Sequence, residues 1–507
     1  MSHSRLRGNS AGAALGAALL VLCACLFLFT QANRFPFFYH PDEPDKVEQV
    51  ITGKWNFHHP LLMLASAKLA TELLHTGHDS QAVVVVGRYA SAVFASIAVV
   101  GFALLGYLRR GPMGFLTVAL LLGLHHQLFE LAHYFKEDTA LLMGMGLSFL
   151  AIGLYWEKQS VPRLLFLGVT CGLSVSAKYL GVVMIIPALI TLHFAPSTGR
   201  KSAIYLQFLG IFVATTAVAN FPLLANLDTF RNSFHREVTL VRANEGSQRF
   251  PLFEYLKIFV SNTNPAIWVF LAVHFFRQWK ERESQRVLDW ILSLFPILFM
   301  AVLSCSHKTN DRYFLPATAL FSVLAALGAC DLAEGLGRKI GRPLAVGSLL
   351  GLICIFQVFQ IPWINSHSLA EYYQAFQHDD RAELQAWIKA NLPKTAVLAQ
   401  DGRADLPVER RTERLSVQGL LEQKVLDTKQ LTDLGPLDQL TQKGVTHVVA
   451  SESDYGKYFR KAWVPHNAKE TQNRQFYLDL FAKGKLLFER PRATVIYLHP
   501  GLQLYAL

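Results

Sequence analysis

The sequence predicts a polytopic α-helical membrane protein with a C-terminal extracytoplasmic α/β domain. Three observations predict this. Apolar stretches of about 20 residues recur between residues 10 and 366, which membrane-spanning helices need and a single soluble core does not. Only 17% of the 507 residues are charged and 52% are hydrophobic, whereas a soluble domain has about 25% charged residues. Beyond residue 366 the pattern changes to short candidate strands and helices. Intrinsic disorder, a disulfide scaffold and a plain soluble enzyme are excluded. The net charge of +11 would suit a nucleic-acid partner, but the apolar runs argue against one. Residues 1–366 hold +9 of that excess, where basic residues can report topology.

The first apolar run, 10–30, follows Arg5 and Arg7. It is long for a signal peptide and no clear small-residue cleavage site follows, so it reads as a retained anchor. Ten further spans are expected near 82–107, 113–134, 139–156, 162–177, 178–194, 203–226, 255–276, 287–305, 312–333 and 344–366. The fifth and sixth share one run broken only at Ala177-Lys178-Tyr179. With a cytoplasmic N-terminus, every inside loop is basic: Arg5 and Arg7, Arg109 and Arg110, Lys158 and Arg163, Arg200 and Lys201, Arg277 to Arg286, and Arg338 to Arg342. Eleven spans then put residues 367–507 outside. There, strands are expected at 395–400, 445–451, 485–490, 493–499 and 502–507, and helices near 379–391, 428–443 and 472–483. The expected division is a membrane domain with its outer loops, 1–366, and an outer α/β domain, 367–507. All six cysteines lie in or beside apolar runs, so no disulfide framework is implied.

The outer face repeatedly carries charge, which topology does not require. After the first span comes His40-Pro41-Asp42-Glu43-Pro44-Asp45. Three carboxylates within four residues repel each other, which raises a pKa or recruits a cation, and one so placed suits a general base. The bland alternative is a solvated acidic loop between prolines. Lys136-Glu137-Asp138 occupies the second outer turn. Its lysine suits a phosphate and its carboxylates a cation; interfacial snorkelling is the alternative. His126, Glu130, His133 and Glu137 fall at i, i+4, i+7 and i+11, one face of a helix. Structural pairing, with Arg88 as a partner, is favoured there over metal. Lys178, His307, Lys308 and Arg312, with Tyr313 beside them, add basic groups expected at one membrane depth, for which a phosphate is the natural counterion. His58-His59-Pro60 precedes an apolar stretch, 61–76, expected along the outer interface. No nucleotide-binding glycine loop occurs.

Asp42-Glu43 after the first span, His59-Pro60 before a juxtamembrane stretch, Lys136-Glu137-Asp138 and the Lys308 to Pro316 run at a late span together resemble the GT-C glycosyltransferases. The nearest likeness is to the bacterial protein O-mannosyltransferase and lipid A aminoarabinose transferase group, over about residues 10–335. That resemblance implies a GT-C fold and a polyprenyl-phosphate sugar donor. It also implies inverting transfer to a hydroxyl of a protein, lipid A or another glycan on the outer face of a bacterial inner membrane. It implies Asp42 as base, Glu43 as its positioner, and Lys136, Lys178, Lys308 and Arg312 at the departing phosphate, with His40, His59, Glu137, Asp138 and Tyr313 in support. No cofactor is required, although Glu137 and Asp138 are compatible with a divalent metal. The Trp-Trp-Asp signature of oligosaccharyltransferases is absent. A lipid-linked sugar flippase and a non-catalytic assembly subunit are the competing readings. A flippase would explain the membrane part and a phosphate site, but not a clustered carboxylate loop on one face or an outer domain of 141 residues, 367–507.

Overall fold

The computed structural model describes residues 8–33, 37–196, 200–242, 250–281, 287–306, 309–361, 366–407, 420–460, 463–465, 467–493, 495 and 497–507. The chain forms two compact units. The first comprises Met1–Asn33, Thr52–His75 and Val86–Ala370, and the second Arg34–Ile51, Thr76–Val85 and Glu371–Leu507. Residues 34–51 and 76–85 thus group with the C-terminal residues, across the division expected at 366/367.

The first unit is helical. Among its elements are α1 (Gly8–Phe29), α2 (Ser80–Gly123, from Val86 onward), α3 (His126–Ala132), α4 (Asp138–Glu157), α5 (Val161–Ala177), α6 (Ile185–Phe194), α7 (Lys201–Ala219), α8 (Pro251–Asn262), α9 (Pro265–Lys280), α10 (Val287–Leu303), α11 (Asp311–Ile340) and α12 (Arg342–Val358). Among the described residues, α1, α2, α4, α7 and α11 are long and apolar enough to cross a membrane. The apolar segments around α5, α6, α10 and α12 are shorter. Helix α2 is in fact two helices. Gly111 at φ 64° ends the first, a conformation that costs glycine least. Residues 99 and 123 would lie about 36 Å apart in a straight helix, yet a Cβ on Gly123 would sit 3.9 Å from the Val99 side chain. The chain therefore doubles back between the stretches expected as 82–107 and 113–134, but the second stretch is itself broken between Gly123 and His126, where His125 is extended. The span expected at 255–276 is instead broken: α8 and α9 meet at 111°. Asn264 caps the new start, its side chain accepting from the Ile267 amide at 3.2 Å, and Pro265 fits the first helical turn.

The arginines of the α2 reversal and of α9 have counterions inside the unit. Arg110 pairs with Asp331 of α11 at 3.1 Å, Arg277 joins the same carboxylate, and Arg109 pairs with Asp289 of α10. Residues expected only as topology signals therefore also lock helices together.

The second unit contains a five-stranded sheet, β1 (Val397–Gln400), β2 (Lys424–Asp427), β3 (His447–Ser451), β4 (Lys485–Arg490) and β5 (Leu502–Ala506), in the order β2-β1-β3-β5-β4. β1 is parallel to β2 and β3, and β5 is antiparallel to β3 and β4. Alternation along the strands places Ala399 and Val448 with Leu440, Tyr477 and Leu480 on one face. Leu398 and Val449 pack with Leu384 and Ile388 on the other, the period-two pattern of a sheet covered on both sides. Helices α13 (Asp380–Asn391) and α14 (Ala468–Lys483) supply those layers.

Two expectations need correction here, and one strand is additional. No strand forms over the described part of 493–499, where the amides of Leu498 and His499 donate back to the Val495 carbonyl and close a turn. The helix expected over 428–443 is split by Gly435, at φ 110°, and Pro436. Strand β2 was not expected. Its segment Lys424-Val425-Leu426-Asp427 is short and only partly buried, so it gives little apolar alternation to read.

Candidate active site

In the second unit, the acidic loop separates its two leading carboxylates by environment. Glu43 is fully buried, and one of its oxygens accepts from the Tyr39 amide at 2.6 Å and the His40 amide at 3.3 Å. Its own amide donates to the His40 carbonyl at 2.9 Å. Glu43 thus closes a tight loop and opens the helix Glu43–Thr52, whose first turn has acidic Glu43 and Asp45, the charge that a helix N-terminus favours. Asp42 faces outward with 46% of its side chain exposed. Its amide donates to His40 Nδ1 at 3.1 Å, so neutral His40 has its proton on Nε2. The arrangement gives an accessible carboxylate on a loop held by a buried one.

In the first unit, Lys136, Glu137 and Asp138 are all buried, not displayed on an exposed turn. Asp138 begins α4, and its Oδ1 accepts from Lys178 Nζ at 2.7 Å. Lys178 occupies the break read from the sequence. α5 stops at Ala177, Lys178 is extended at φ −156° and ψ 140°, and a 3₁₀ turn, Tyr179–Met184, follows. Gly181 in that turn passes so close to the Ser174 carbonyl that a Cβ would overlap it. The Lys178 ammonium lies 4.6 Å from the centre of the Tyr313 ring, and the Arg312 guanidinium lies 5.4 Å from the same ring, distances at which a ring face attracts a cation. Arg312 and Tyr313 stand in the first turn of α11 because Asn310 caps it, accepting from the Arg312 amide at 3.1 Å. The charges of Lys178, Arg312 and Lys136 all reach Asp138.

Three of the four expected phosphate cations therefore converge. The fourth, Lys308, lies outside the described residues, as does His307. The charges of Asp311 and Asp138 also act on each other, and those of Arg312 and Asp311 act on Glu130. His59 is half-buried in a loop fixed from several sides. The Tyr179 hydroxyl donates to the Phe57 carbonyl at 3.0 Å, and the Leu61 amide donates to Asn220 at 2.8 Å. The stretch beyond it forms a helix, Leu62–Leu73, with Leu69 and Leu73 exposed.

The stripe His126, Glu130, His133, Glu137 does not share one helix, because α3 ends at Ala132. His133 bonds the carbonyls of Phe129 and Gln31 at 2.7 and 2.6 Å, Glu130 accepts from the Tyr134 hydroxyl at 2.9 Å, and the His126 ring stacks on His125. Arg88 donates to the Asn33 carbonyl at 3.3 Å. Among the described residues, no group of three or more His, Cys, Asp or Glu side chains is arranged to hold a metal ion.

Residues 58–221 match the family model described as dolichyl-phosphate-mannose-protein mannosyltransferase. That segment includes His59, Lys136, Glu137, Asp138 and Lys178. No curated protein sequence matches the chain. The fold is similar to that of ArnT from Cupriavidus metallidurans bound to undecaprenyl phosphate. The TM-score is 0.55 at 14% identity, over 97% of this chain and 98% of that one. The apo state of the same protein gives 0.54 at 13% identity, with the same coverage. The resemblance to GT-C glycosyltransferases read from the sequence thus extends to the fold of nearly the whole chain, and the chain is an integral membrane protein.

Proposed function

We propose that this protein is a membrane glycosyltransferase that moves one sugar from a polyprenyl-phosphate donor to an acceptor hydroxyl on the extracytoplasmic face, with inversion. Its place is a bacterial inner membrane, with the N-terminus cytoplasmic and the C-terminal unit periplasmic. The acceptor is a protein, a lipid or another glycan. The observation that carries the reading is the gathering of Lys136, Lys178 and Arg312 around Asp138. Three cations brought together in buried surroundings suit a ligand that carries concentrated negative charge. The phosphate of a lipid carrier supplies it. The fold shared with an undecaprenyl-phosphate-bound protein supports the same donor class.

In this mechanism Asp42 takes the proton of the acceptor hydroxyl. The hydroxyl oxygen attacks the anomeric carbon from the face opposite the phosphate. The bond from that carbon to the phosphate oxygen breaks, and the departing phosphate keeps the electron pair. Lys136, Lys178, Arg312 and Lys308 stabilise that charge, usually a large contribution to catalysis. Glu43 holds the Tyr39–His40 backbone and so positions Asp42, with His40 beside it. The Tyr313 ring lies beside both Lys178 and Arg312, and His59 stands in the loop held by Tyr179 and Asn220. No step is assigned to a metal: Asp138 is paired with Lys178 and ringed by cations, a field that opposes a divalent ion at Asp138 and Glu137.

The test is Asp42→Asn. Transfer should fall by about 10²–10⁴-fold, the usual worth of a general base, while undecaprenyl phosphate still binds. Full transfer by that variant would remove Asp42 from the mechanism.

A further inference from the structure

We propose that Arg381 is a positioning residue for the base: it grips the backbone beside Asp42 and holds the acidic loop in register. The inference rests on the reading of Asp42 given above. Arg381 is 2% exposed, although arginine is seldom buried without a purpose for its charge. Its Nε and Nη2 bond the two oxygens of Asp379 at 3.0 and 2.7 Å. That two-point fork leaves the group a single orientation. In that orientation Nη1 donates to the Phe38 carbonyl at 2.8 Å. The guanidinium also lies 5.4 Å from the centre of the Phe37 ring, and Asp405 stands 3.6 Å from Nη1.

The fork is itself fixed. Asp379 caps α13, accepting from the Arg381 amide at 3.0 Å. Next to it, His499 joins Asp380 at 3.0 Å and the Ala375 carbonyl at 2.7 Å. The residues after Phe38 meet the same unit through side chains. Tyr39 packs edge-on against Phe376 at 5.7 Å, and the His40 ring lies 4.9 Å from that of Tyr497. A chain of contacts therefore runs from a helix cap through Arg381 to Phe38, then through the Glu43 loop to Asp42. Lysine at this position could meet Asp379 or the Phe38 carbonyl but could not form the planar fork.

The experiment compares wild type, Arg381→Ala, Arg381→Lys and Asp42→Asn in the full chain. It reads amide hydrogen exchange, undecaprenyl phosphate binding, and product formation in membranes of a deletion strain. Both Arg381 variants should speed exchange at the Tyr39, His40 and Glu43 amides while β1 and β3 keep their protection. Binding should stay within twofold. Product formation should fall by about 10²-fold in Arg381→Ala, the cost of a misplacement near 1 Å, and less in Arg381→Lys. Unchanged exchange at the loop overturns the proposal. So does faster exchange through β1 and β3 in both variants, which would make Arg381 a residue of the fold alone. So does a loosened loop with wild-type product formation when Asp42→Asn is inactive. An active Asp42→Asn instead refutes the base, while the exchange data still decide whether Arg381 anchors the loop.

Discussion

Replacing Lys178 with methionine separates a phosphate-binding lysine from one that only neutralises a buried acid. In the folded protein Lys178 Nζ sits 2.7 Å from Asp138, with the two side chains 13% and 3% exposed. Removing one partner of a buried pair costs about 3–5 kcal/mol. The charges of Arg312 and Lys136 still reach Asp138, so the lower end of that range, about 3 kcal/mol, is expected. If Lys178 also bonds the lipid phosphate, the variant loses a charge-assisted hydrogen bond worth about 1.5–3 kcal/mol. That loss weakens binding about 10- to 140-fold. Thermal unfolding and undecaprenyl phosphate binding, both in nanodiscs, read the two effects separately. Adding Asp138→Asn removes the stranded carboxylate, so the double variant should regain most of the stability and none of the binding. Wild-type binding by the folded Lys178→Met protein, or recovery of binding in the double variant, would refute the phosphate role.

Gly181→Ala pushes a methyl group into the Ser174 carbonyl at the break that presents Lys178. A loss of about 1–3 kcal/mol is expected, the cost of overpacking, together with weaker undecaprenyl phosphate binding; an unchanged melting temperature would contradict the close approach. In the second unit, burial disfavours charge on His499, but its bonds to Asp380 and the Ala375 carbonyl prevail and raise its pKa. This stabilisation is complete below about pH 6.5, the unfolded value, and is lost as pH rises through the higher folded value. Urea unfolding followed by exchange in β1 and β3 should show stability falling over that window. Asp380→Asn should flatten the dependence, and a slope unaffected by that change would refute the assignment. Glu43→Gln keeps the shape but weakens acceptance from the Tyr39 and His40 amides. It should lower transfer without weakening undecaprenyl phosphate binding, and full transfer would remove Glu43 from the positioning role.

Much of the membrane architecture was legible because its signals are local. Apolar runs mark helices wherever they are long, and Lys178 stood out as a charge within one. Charge returning to one face pointed to Lys136, Lys178 and Arg312 before their convergence on Asp138 was visible. The helical stripe through His126 and Glu137 failed because spacing assumes an unbroken helix, and α3 has only seven residues. Long-range pairs left no trace either. Arg110 and Asp331 are 221 positions apart, and Arg381 and Phe38 are 343 apart. Arg381 falls inside the helix expected near 379–391, and nothing local to that stretch marks the fork it makes with Asp379. Its burial among charged neighbours is the signal that sets it apart, and that appears only on folding.

The most direct test of the glycosyltransferase reading compares glycans and lipids by mass spectrometry between a deletion strain and its parent. The deletion strain is complemented with the wild-type chain or with Asp42→Asn. The account predicts that one species loses the mass of a single sugar in the deletion strain, that the wild-type chain restores it, and that Asp42→Asn does not. An unchanged profile, or equal restoration by both chains, would contradict it.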